Sequence, residues 1–230
     1  MLGILGGMGP MATAHFYRCL IERTPASRDQ EHLPVAIWAD PTVPDRTQAL
    51  LGHGPSPLSA MLTGVSWLTQ AHATCVVIPC NTAHAYLDTL RNHTDVPILD
   101  MVSAALEACR THQPTLRRVG VLATEGTRIA RLYEVAGARL DLQIVHVLPA
   151  TQSRHVDRAI ANVKQGSDMA RAEADIAVAV GELQKAGAEM AIAACTEIPL
   201  VAGEGQRIMP VLDSTSALAD QALATLRPHP

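Results

Sequence analysis

Val77-Ile-Pro-Cys80-Asn-Thr82 and, 115 residues further on, Ile192-Ala-Ala-Cys195-Thr196-Glu197 decide how this chain is built. Each is an apolar run of strand character that ends at a cysteine and passes into residues suited to a helix start. The pair does not stand alone. Gly3-Ile-Leu-Gly-Gly7 recurs as Gly120-Val-Leu-Ala-Thr124 at an offset of 117, and Pro97-Ile-Leu-Asp100 recurs as Pro210-Val-Leu-Asp213 at an offset of 113. Three landmarks in one order at nearly one spacing describe an internal repeat. The expected domains are 1–101 plus 213–230 for the first lobe and 102–212 for the second.

Working outward, short β-branched runs alternate with longer amphipathic segments. Strands are expected at Leu2–Leu5, Pro34–Ala39, Cys75–Ile78, Pro97–Leu99, Val119–Leu122, Gln143–Leu148, Met190–Ala193 and Ile208–Val211. Helices are expected at Ser59–His72, Ser103–Thr111, Arg128–Gly137, Met169–Ala186 and within Asp213–Leu226. Continuously apolar strands alternating with helices predict α/β architecture: two pseudo-symmetric three-layer lobes with mainly parallel sheets. Ligands of such sheets bind beyond the carboxyl ends of the strands, so the expected site is a cleft between the lobes, faced by both cysteines.

Composition narrows the function. With 22 acidic and 18 basic side chains and 3% aromatic residues, the chain has neither the basic stripe nor the stacking platforms that nucleic acid requires. The opening MLGILGGMGP is apolar, but it is short, glycine-rich and without a basic flank. It predicts a buried strand and loop instead of a leader or membrane span, hence a cytoplasmic setting without membrane contact. Five cysteines, an odd number without a CxxC, do not form a disulfide framework. His72, Cys75, Cys80 and His84 can be drawn as a zinc box, but Cys75 opens a strand that such a box would straddle. No metal is expected.

A thiol at a helix start gains from free backbone N–H groups and the helix dipole, which lower its pKa and favour the thiolate. One such cysteine reads as a core thiol; two at equivalent points of a repeat read as a functional pair. The first loop, Gly3 to Gly9, does not have GxGxxG spacing. A tight turn bringing backbone close to a small carboxylate, with Met8 at its tip and Pro10 at the first helical position, is the better reading.

Leu5-Gly-Gly-Met-Gly-Pro-Met-Ala-Thr13, Pro79-Cys-Asn-Thr-Ala-His84 and Ala194-Cys-Thr-Glu197 together resemble the aspartate/glutamate racemase family, across essentially the whole chain. Glutamate racemases have Cys-Thr-His where this chain has Cys195-Thr196-Glu197, and an aspartate-containing loop where it has Gly6-Gly7-Met8. Both departures point to the aspartate-racemase branch.

The resemblance implies a cofactor-independent amino-acid racemase, with no pyridoxal phosphate. Cys80 and Cys195 would be the two catalytic bases, one removing the α-proton as thiolate and the other returning a proton from the opposite face. Asn81, Thr82 and Thr196, with nearby backbone N–H groups, would stabilise charge on the substrate carboxylate, and Glu197 and Met8 would contact substrate. Thr124 and Thr127 read either as helix caps or, by resemblance, as α-carboxylate contacts. Arg46, in the Pro/Gly-rich stretch from Asp40 to Pro57, is expected to meet an acidic substrate side chain bidentately. Lys164 is expected either there or as a helix-end charge. His84 is either a tuner of the Cys80 thiol or an ordinary helix residue. Cys19, Cys75 and Cys109 read as packing. The expected partner is a small amino acid, aspartate or glutamate, and the resemblance implies a homodimer. Alternatives are a hydantoin racemase, a cysteine-dependent isomerase or decarboxylase, or an inactive binding homologue.

Overall fold

The computed structural model describes residues 1–226. They divide into two compact units, Met1–Met101 with the segment from Thr215 onward, and Val102–Ser214.

The first unit contains β1 (Leu2–Gly6), β2 (Val35–Ala39) and β3 (Cys75–Val77), all parallel in the order β2-β1-β3. Side chains alternate across this sheet, as strand geometry requires. Leu2, Ile4, Cys75 and Val77 pack with Phe16, Leu20, Leu218 and Ala222 of the helices Pro10–Arg23 and Ser214–Leu226. Leu5, Val76 and Ile78 pack on the opposite face with Met61, Val65 and Leu68 of the helix Leu58–Gln70. Two faces covered by helices make three layers and explain why these strands read as unbroken apolar runs.

The second unit contains β4 (Arg118–Ala123), β5 (Gln143–Val145), β6 (Met190–Ala194) and β7 (Val211–Asp213), parallel in the order β5-β4-β6-β7. Leu122, Ala191 and Ala193 pack with Ile160, Ile176, Val180 and Leu183 of the helices Asp157–Gln165 and Met169–Lys185. Val119, Val121 and Ile192 point the other way and are equally buried. Among the described residues no helix is long and apolar enough to cross a membrane.

Each sheet therefore has its first strand in the middle and its cysteine-bearing strand beside it, which is the repeat read from the sequence. The strand expected at Gln143–Leu148 ends at Val145, and three further expected elements differ. Pro97–Leu99 forms only an isolated parallel bridge, Val76 to Ile98, because Pro97 has no N–H to donate and a helix starts at Met101. Ile208–Val211 is not a strand: Ile208 and Met209 donate to Gly205 in a helical turn, so β7 begins only after Pro210. Arg128–Gly137 is split into helices Glu125–Ile129 and Leu132–Ala138, with Arg131 in the left-handed region between them.

Candidate active site

Cys80 lies three residues beyond the carboxyl end of β3 and precedes a short 3₁₀ helix, Asn81–Tyr86. It is buried, as are Asn81, Thr82 and His84 behind it. His84 settles its own role through its two ring nitrogens. Nδ1 donates to the Cys80 carbonyl at 2.9 Å and Nε2 accepts the Met101 backbone N–H at 3.0 Å. Those bonds need a neutral ring protonated on Nδ1, and burial holds the imidazole pKa below its usual value. His84 thus braces the backbone of Cys80 and makes no bond to its sulfur. It and Cys75 do not form the zinc box drawn from sequence: both His84 nitrogens are engaged, and Cys75 faces the other side of the sheet from Cys80.

The glycine-rich loop beside it is held by Thr13, whose Oγ1 accepts from Gly7 N at 2.9 Å and donates to Gly9 O at 3.2 Å. Gly7 has φ +88°, and a side chain there would run into the Asp40 backbone 2.3 Å away. Met8 packs its side chain into the core, while its carbonyl accepts Arg46 Nη2 at 3.0 Å. Arg46 Nη1 also donates to Pro44 O at 3.1 Å, and Nε is buried without a partner. Arg46 therefore braces this loop, with its Nε–H still unmatched. Within its Pro/Gly-rich stretch Arg46–Leu50 is a helix, capped by the Asp45 side chain.

Cys195 follows β6 directly and is equally buried, but its surroundings differ. Its Sγ donates to Glu197 Oε2 at 2.9 Å, and Thr196 Oγ1 donates to the same oxygen at 3.2 Å. Burial, and then the negative charge of Glu197, push the Cys195 thiol well above its ordinary pKa; Lys164 and the Glu197 backbone N–H pull the other way. The expectation of a lowered pKa is overturned here. Burial first, and then a carboxylate inside the turn, outweigh the backbone N–H groups of a short 3₁₀ helix, Ile198–Val201. Lys164 is on the exposed end of its helix, but its charge is felt at the sulfur. The strand itself is pinned by Ser214, whose hydroxyl donates to Ala193 O at 2.8 Å.

Thr124 caps the helix Glu125–Ile129, its Oγ1 accepting from Thr127 N at 3.3 Å and lying 3.1 Å from Thr127 Oγ1. The cap reading is what the geometry shows, directly beyond the carboxyl end of β4. Thr13 and Ser214 were not foreseen as supports. Thr13 had a signal, a hydroxyl one turn into a helix opened by Gly9-Pro10; Ser214 had none, since its carbonyl partner is 21 residues away.

The sequence profile of the Asp/Glu/hydantoin racemase family matches residues 5–222. The chain belongs to that family. It is 28% identical over 229 residues to a broad-specificity amino-acid racemase of Bacillus subtilis strain 168, covering 98% of this chain and 97% of that one. The solved structure of Picrophilus torridus aspartate racemase superposes with a TM-score of 0.84 at 26% identity, covering 97% and 93% of the two chains. Francisella tularensis glutamate racemase gives a TM-score of 0.75 at 14% identity, covering 98% and 80%, a likeness of fold alone. Within this racemase-family chain Cys75 and Cys109 are packing thiols, Cys109 pushed up to about 12 by burial.

Proposed function

We propose that this protein racemises aspartate, glutamate or a related amino acid without a cofactor, Cys80 and Cys195 serving as the two bases. The observation that supports this is the position of the two thiols. Each is buried just past the carboxyl end of the strand next to the central strand of its own sheet, and neither is in a disulfide. Family membership and the Bacillus subtilis relative's name point to the same chemistry.

Inverting a stereocentre requires a base on one face of the α-carbon and an acid on the other. In the direction for which Cys195 starts as thiol, Cys80 thiolate forms an S–H bond to the α-proton as the C–H pair is left on carbon. Cys195 then delivers its proton to the opposite face and becomes thiolate, next to the charge of Lys164. The reverse direction exchanges the roles. Charge building on the substrate carboxylate is met by Asn81, Thr82, Thr196 and the Thr124–Thr127 turn, held in place so that little reorganisation is needed. Met8, Arg46, Lys164 and Glu197 complete the substrate contacts in this reading, Arg46 through its unmatched guanidinium donor.

The test is incubation with L- and D-aspartate, glutamate, a wider amino-acid panel and a 5-substituted hydantoin in deuterated water, without added cofactor. Inversion together with α-deuterium uptake for an acidic amino acid is expected. Inversion of the hydantoin alone would move the substrate to that branch of the family, and no exchange with any compound would end the racemase reading.

A further inference from the structure

Gln152 is 2% exposed and lies in no segment that the chemistry above uses. Its Nε2 donates to two acceptors, Ala123 O at 2.9 Å and Asp157 Oδ1 at 2.8 Å. Both amide hydrogens are thereby spent, while Oε1 is buried with no partner. The amide orientation follows, because turning it over would press Oε1 against two other acceptors.

Such a residue is poor value as core filling. A methionine of similar length would occupy the same space and strand no oxygen, whereas a buried unpartnered acceptor destabilises the fold. What the amide does supply is a link between two segments. Ala123 ends β4, and Thr124, the next residue, caps the helix that contains Thr127. Asp157 opens the helix Asp157–Gln165, and its backbone N–H also donates to Gln152 O across a single wide π-turn, Gln152–Val156. Gln152 is therefore fixed to that helix by its main chain and its side chain, and from there it grips the last carbonyl of β4.

We propose that Gln152 is a positioning residue for the substrate carboxylate: by holding Ala123 it fixes the turn Thr124–Thr127 in the geometry that binds the anion. This rests on the carboxylate role given above to Thr124 and Thr127. Gln152 touches no substrate itself; it acts through the backbone of residue 123.

Two measurements separate the clamp from its use. In Gln152→Met, hydrogen–deuterium exchange of the peptide covering residues 123–128 is expected to quicken at least about tenfold, since local opening is no longer opposed. The KM for L-aspartate is expected to rise about tenfold with kcat within about threefold, the mark of lost ground-state binding. Gln152→Glu, which keeps the shape, is expected to resemble Gln152→Met at neutral pH. Its KM should fall back towards wild type in acid, when a protonated carboxyl again donates to Ala123 O; Gln152→Met should show no such recovery. If Gln152→Met does not fold, the pH response of Gln152→Glu carries the test. Unchanged exchange in the variants overturns the clamp. Faster exchange with unchanged KM overturns its role in carboxylate binding. A wild-type protein that racemises nothing, with fast exchange still seen in Gln152→Met, removes the racemase reading and keeps the clamp.

Discussion

Cys80 and Cys195 occupy matching places in two sheets of matching strand order, yet one has neutral polar neighbours and the other a carboxylate. Behind Cys80 lie Asn81, Thr82 and a neutral His84 that grips the backbone. Behind Cys195 a buried carboxylate accepts a hydrogen bond from the thiol at 2.9 Å, and burial, then that negative charge, raise the thiol pKa. Repetition of a fold thus reproduces where a thiol stands without reproducing the charges beside it. Position follows from backbone geometry, whereas the proton follows from burial and from the few charges within hydrogen-bond reach.

The comparison breaks most decisively at the cysteines. Cys80→Ala and Cys195→Ala are each expected to lower racemisation by about 10³-fold or more, within the usual range for a positioned acid or base. Each single variant should still exchange the α-proton of one enantiomer, and the two variants should differ in which one. Exchange of the same enantiomer by both, followed by NMR in deuterated water, would show that the thiols do not work from opposite sides.

His84→Ala probes the support on the Cys80 side. It removes one of two hydrogen bonds to the Cys80 carbonyl, which keeps the Ala83 N–H at 3.2 Å, and leaves the Met101 N–H without its His84 acceptor, for an expected loss of about 1–3 kcal/mol in urea unfolding. The same histidine gives the wild type a pH signature. Burial lowers its folded pKa below the ordinary 6.5, so the unfolded chain takes up the proton first. Stability present above pH 6.5 is therefore lost as pH falls from that value through the lower folded-state pKa. The acid slope should be shallower in His84→Ala.

Glu197→Gln sharpens the other side with the smallest expected change. Removing the negative charge should let the Cys195 thiolate form at lower pH, seen as an acid shift in its alkylation rate measured in a Cys80→Ala background. An unmoved profile would assign the raised pKa to burial alone.

Much of this architecture was legible in the chain. The apolar runs at Leu2, Cys75 and Met190 announced buried parallel strands, and the long amphipathic period from Met169 announced the helix that ends at Lys185. The misreadings share one cause. Pro97–Leu99, Ile208–Val211 and Arg128–Gly137 have the right residue types, but a prolyl nitrogen, a helical turn closing on Gly205 or a left-handed Arg131 redirects the hydrogen bonds. Such local competition leaves almost no trace in periodicity. The places of Cys80 and Cys195 beyond equivalent strands were legible because they repeat. The duties of Arg46, His84 and Gln152 were not, since each depends on which carbonyl the fold brings within 3 Å.

The sequence by itself determined that there are two α/β lobes and that a cysteine follows the equivalent strand in each. Those facts follow from apolar patterning and from a repeat spanning half the chain. Only the tertiary structure decided that the Cys195 thiol donates to Glu197, and that His84 and Gln152 donate to the carbonyls of Cys80 and Ala123. Hydrogen bonds and burial set ionisation, and both depend on neighbours that the fold selects.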